Sequence, residues 1–128
     1  MLNPAIASLC VAVVLGMWLS SQHLLEGKPP RYIGRVGAVH GAAGALCVGL
    51  LYLALQAKPA GASHGGGGFG WTAFWMLAAT LAGGLTILSH YLRGRIAPTV
   101  LVAIHACVGI GGAVMLAAYY ASPSSFGR

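Results

Sequence analysis

Residues 33–57 read IGRVGAVHGAAGALCVGLLYLALQA, and this stretch decides the fold. After Arg35 it carries no Lys, Arg, Asp or Glu to its end. An apolar run of about 20 residues is long enough to cross a bilayer core of ~30 Å as a helix. A helix is the form expected there, because it closes its own backbone hydrogen bonds where no water is available. Three more such runs flank it, at about residues 4–25, 71–92 and 96–121. Short alternating segments of the kind that build membrane β-barrels are not seen. The expected architecture is therefore all-α. It is one integral membrane domain over residues 1–128, a four-helix transmembrane bundle built as two tandem helical hairpins, with a flexible loop at 58–70.

Composition agrees. The chain is 58% hydrophobic and only 6% charged. A water-solvated domain carries roughly 25% charged residues, so the deficit excludes a soluble surface. The first run has no charge before Glu26 and is long, so it reads as a retained helix and not as a cleaved leader.

The net charge of +6 is a membrane signal, not a nucleic-acid one. Lys28, Arg31 and Arg35 cluster between the first two helices, and Arg93 and Arg95 between the last two. Lys58 and Arg128 fall on the other side. The excess of basic residues at the two short turns places those turns in the cytoplasm of a bacterial-type inner membrane. Both termini and the 58–70 loop are then outside. Anionic lipid is the expected partner of the basic turns, and no nucleic-acid partner is expected. Trp71, Phe74, Trp75, Tyr119 and Tyr120 read as an outer aromatic belt, and Tyr32 and Tyr91 as the inner one.

The glycine-rich stretch Gly65–Gly68 has linker composition, and His64 beside it reads as a surface histidine. Cys10, Cys47 and Cys107 lie in apolar runs and read as packing residues. No Cys-x-x-Cys-His occurs, which excludes covalent c-type haem attachment. Nucleophile–base, phosphate-loop and nucleotide motifs are absent too, so independent enzymatic turnover is not expected.

Chemistry concentrates in four histidines. His23 and His90 fall near the basic-turn ends of helices one and three. His40 lies five residues past Arg35, and His105 ten residues past Arg95. All four belong to the same half of the bundle, His40 and His105 deeper and His23 and His90 shallower. Ionisable side chains within a membrane are costly and usually functional. Glu26 is the sole carboxylate side chain, which disfavours oxygen-preferring metals, and two histidine layers on different helices make a poor tetrahedral zinc cage. Haem iron suits them better, taking two axial imidazoles from facing helices. Gly44 and Gly109 each follow a deep histidine by four residues and share its face, where a flat ring needs small neighbours.

Each hairpin also reads Gly, His, basic turn, His, Gly: Gly16, His23, His40, Gly44, then Gly83, His90, His105, Gly109. Such an internal repeat places a pseudo-two-fold along the membrane normal.

With in-membrane histidines followed at four residues by glycine, the helical core at about residues 5–120 resembles the membrane b-type cytochromes. These include the anchor cytochromes of quinone-linked dehydrogenases and hydrogenases. The resemblance implies a haem b held by His40 and His105, and electron transfer to or from quinone or a larger redox complex. No histidine lies in the outer half of any expected helix, so a haem on each side of the membrane does not carry over. Arg35 and Arg95 are placed to neutralise the haem propionates. His23 and His90 are expected to bind those propionates or line a quinone site. They rank lower as ligands of a second haem, which would crowd the first. Two competing readings are a small transporter or channel with the histidines as proton relay, and a cofactor-free structural subunit of a membrane complex.

Overall fold

A computed structural model describes residues 2–26, 33–57 and 64–122. Four helices make up the bundle: α1 (Leu2–Glu26), α2 (Ile33–Gln56), α3 (His64–Leu92) and α4 (Thr99–Ala121). Each contains a segment long and apolar enough to span a membrane, and the chain is a multi-pass membrane protein. The helices form a closed ring, α1 against α2, α2 against α3, α3 against α4 and α4 against α1. The two hairpins, α1–α2 and α3–α4, are the most closely packed pairs. The diagonal pairs, α1 with α3 and α2 with α4, do not pack backbone to backbone among the described residues. Large apolar side chains such as Val14, Met17, Leu85, Val100 and Ile104 point outward and are exposed, which is the surface that lipid contacts.

Two helix boundaries depart from the expected ones. The third helix begins at His64, not Trp71, so the glycines of 65–68 are helical and the expected loop at 58–70 is cut to 58–63, outside the described residues. Glycine weakens a helix in water, and nothing lies within 4 Å of a Cβ added at Gly68; the first close packing of α3 comes at Gly70. Gly70 sits where a Cβ would come within 2.6 Å of Leu55 Cδ2 and 3.1 Å of the Tyr119 ring, so at this residue α3 lies directly against α2 and α4. The fourth helix begins at Thr99, not Ile96. Gly94, with φ +67°, ends α3, its N–H bonding Tyr91 O while the N–H of Arg95 bonds His90 O. That is a Schellman stop, which a residue without Cβ adopts at least cost. Pro98 then caps α4 and keeps Ala97 out of the helical region.

The bundle is filled unevenly. At the end carrying the chain termini, Cys47, Leu51 and Leu55 of α2 meet Ala73 and Leu77 of α3 and Leu116 and Tyr119 of α4, with Leu2, Ile6 and Leu9 of α1 against them. Their spacing of three and four residues puts each set on one helical face. Tyr119 is therefore a core residue (1% exposed), not part of the outer aromatic belt. Gly112 lets α4 approach α3, since a Cβ there would stand 2.9 Å from the Leu77 side chain and 3.3 Å from its backbone nitrogen. The half nearer the α3–α4 turn is not filled in this way.

Candidate functional site

Between the four helices, from the middle of the bundle toward the turns, lies a cavity of about 290 Å³, with Cys47 and Leu77 of the core at its far end. That volume is just below the range for cofactor and ligand sites, ~300–1,000 Å³. Its walls are mostly apolar, and its polar side chains are Ser20, His23, His40, Thr80, Tyr91 and His105. Met17, Leu85 and Ile110 both line it and are exposed on the outside of the bundle, so it is not sealed from the flanks.

His40 of α2 and His105 of α4 face each other across one diagonal. Their ring centroids are 6.0 Å apart with the planes at 69°. Each ring is fixed by the other helix of its own hairpin. His40 Nδ1–H donates to the Ala12 carbonyl of α1 at 2.8 Å, and His105 Nδ1–H donates to the Thr80 carbonyl of α3 at 2.9 Å. A carbonyl can only accept, so Nδ1 carries the proton and Nε2 keeps its lone pair. Neither Nε2 has a hydrogen-bond partner among the described residues. An imidazole anchored through one nitrogen with the other left as a base is the arrangement found in metal-ligating histidines.

The spacing suits one metal between two imidazoles. Two metal–nitrogen bonds of about 2 Å, plus roughly 1 Å from each nitrogen to its ring centre, give a centroid separation of about 6 Å. Where both Nε2 atoms are turned to one metal, the angle between the two ring planes is not restricted. Among the described residues no group of three or more His, Cys, Asp or Glu side chains converges. The donor set is thus a pair, which fits a metal whose other ligands come from a macrocycle.

Glycines shape the site in two ways. Gly16 and Gly84 back onto the imidazoles, where an added Cβ would lie 2.8 Å from His40 Cε1 and 3.1 Å from His105 Cε1. Gly41 and Gly44 border open space, with nothing within 4 Å of an added Cβ, and both line the cavity. Gly109 lines it as well but is packed on Thr80 Cγ2 at 3.1 Å.

The shallow layer differs from the sequence expectation. His23 is buried (6% exposed) and lines the cavity, but it pairs with Tyr91, not His90. The Tyr91 hydroxyl and His23 Nδ1 share a hydrogen bond of 3.0 Å across the other diagonal, from α3 to α1. His90 turns back to its own helix, its Nδ1 on the Thr86 carbonyl at 2.9 Å, and does not line the cavity. Arg35 and Arg95 are exposed and do not line it either.

The register explains the difference. Ala12, Gly16 and His23 of α1 match Thr80, Gly84 and Tyr91 of α3 in position and contacts, one residue beyond the Gly83 and His90 that identity alone aligns. One residue on a helix is a rotation of about 100°, enough to carry His90 out of the cavity and bring Tyr91 into it. The tyrosine expected at the inner interface is thus a site residue, and its seven-residue spacing from Gly84 was the available signal.

No protein-family model, no curated protein and no solved structure matches this chain.

Proposed function

We propose that this protein is a membrane electron carrier holding one b-type haem between His40 and His105. The observation that carries the reading is the facing pair of imidazoles at 6.0 Å, each anchored through Nδ1 to a carbonyl of its own hairpin. When bound, the haem supplies reversible one-electron exchange at its iron. The chain's own part is to hold and insulate. His40 and His105 present lone pairs in one fixed tautomer. Gly41 and Gly44 leave room for a flat ring, and the leucine and valine walls keep water away. Since Met17, Leu85 and Ile110 connect the cavity to the lipid-facing flanks, a lipid-soluble carrier such as a quinone is the proposed electron partner. A larger redox subunit docked at the basic turns is the other.

The absorption spectrum of the purified chain tests this. A Soret band with sharp reduced α and β bands, at one haem per chain, is the expected result. A colourless chain that gains no such bands when titrated with haem would defeat the proposal. Gly44→Leu should lower haem occupancy about tenfold or more while leaving helical circular dichroism unchanged, because its side chain enters open cavity space and competes with the ring for it.

The proposed orientation puts the basic turns in the cytoplasm and the termini outside. In intact cells, a cysteine placed at Ser63 should react with an impermeant thiol reagent and one at Gly27 should not, in a background lacking Cys10, Cys47 and Cys107. The opposite pattern would invert the topology.

A further inference from the structure

We propose that Tyr91 and His23 clamp the carboxylate edge of the porphyrin, and so fix which way round the ring enters the cavity. This rests on the haem reading above. Tyr91 and His23 each lie seven residues past the glycine that backs an imidazole, Gly84 and Gly16. Seven residues are two turns, so the pair stands on the cavity-facing side about 10 Å further toward the turns. A ring ligated on both faces lies across the line joining its ligands. That line runs from α2 to α4, so a ring held there would have edges toward α1 and α3, the helices that carry His23 and Tyr91.

A b-type haem has two carboxylates on a single edge, and the two ends of the cavity differ. Beyond the imidazoles on the termini side stand Cys47, Leu51, Leu77 and Leu116, a closed apolar core. An ionised carboxylate brought there would be desolvated without a partner. On the turn side are Tyr91, Ser20 and His23, and the exposed Arg35, Arg93 and Arg95 add a positive field beyond them. His23 is more than nine-tenths buried, and its Nε2 has no hydrogen-bond partner among the described residues. Two carboxylates would draw the Tyr91 O–H and a His23 N–H as donors, in place of the single bond the two now share. Among the described residues no arginine lines the cavity, so recognition falls to this tyrosine–histidine pair and not to Arg35 and Arg95.

The test titrates the full-length chain in detergent with haem b and with its dimethyl ester, which keeps the ring and iron but lacks both charges. The readouts are dissociation constants and the bis-imidazole spectrum. The wild-type chain is expected to bind haem about tenfold tighter than the ester, the scale of hydrogen bonds to charged groups. Tyr91→Phe, which removes only one oxygen, and His23→Gln should each close about half of that gap on a logarithmic scale while keeping the bis-imidazole spectrum. Equal wild-type affinities, or a gap unchanged in both variants, would overturn the clamp and leave the haem site standing. If neither porphyrin gave a bis-imidazole spectrum, the clamp and the haem reading would fall together.

Discussion

Alanine at His40 or at His105 should abolish the low-spin bis-imidazole spectrum, and the double variant should retain less haem than either single one. On the proposed reading each imidazole would supply one of only two protein bonds to the iron, so losing one would change the spin state of whatever haem stayed bound. Haem retention should fall by at least tenfold in each case. The helices should survive. Each histidine contributes one hydrogen bond across its hairpin, to Ala12 O or Thr80 O, worth about 1 kcal/mol net, and the main apolar core lies at the other end of the bundle. Circular dichroism should therefore match the wild type while the spectrum is lost. If both variants kept an ordinary bis-imidazole spectrum, the pairing would be refuted. His90 would not rescue it, since it does not line the cavity, and among the described histidines His23 alone remains there.

Gly16→Ala should be nearly as damaging although it touches no cofactor. Its new methyl would lie 2.8 Å from His40 Cε1, inside any normal contact, while Ala12 one turn back holds the same ring through Nδ1 at 2.8 Å. The ring cannot retreat without giving up that hydrogen bond or moving toward His105. Overpacking of this kind costs about 1–3 kcal/mol, a loss of roughly tenfold to a hundredfold in haem affinity, with a shifted ligand-field spectrum in what remains bound. Gly84→Ala is the internal control. Its methyl would meet His105 Cε1 at 3.1 Å, which a few tenths of an ångström relieves, so its effect should be distinctly smaller. Equal affinities and spectra for wild type and Gly16→Ala would show that this contact does not position the ligand.

The spans and the deep histidine pair were legible from sequence because each rests on a strong local signal. Long apolar runs admit one solution in a bilayer, and histidines set past basic turns were expected at matching depths. The glycine partners of the imidazoles were harder to see. Gly44 and Gly109 lie on the histidine's own helix, where spacing reveals them. Gly16 and Gly84 act from the neighbouring helix, and a single sequence holds no record of which faces meet. The same limit hid Tyr91. Matching like residues in the two hairpins selects His90, whereas packing selects the position one residue further on. Gly65–Gly68 misled in the opposite way, because linker composition is a statement about water and these residues continue the helix that packs at Gly70.

On the proposed haem reading, the uneven filling of the bundle would make stability a function of contents. The termini half has its own core, but the turn half is built around a cavity whose walls touch little across the centre. A bound ring would supply the missing dispersion contacts, and a ligand that binds only the folded state adds RT ln(1 + [L]/Kd) to the unfolding free energy. Supply of the cofactor would then govern how much of the protein persists. Chains made faster than they are loaded would be the less tightly packed ones, opening first at the turns, and clearance by membrane proteases would match their number to the haem on hand.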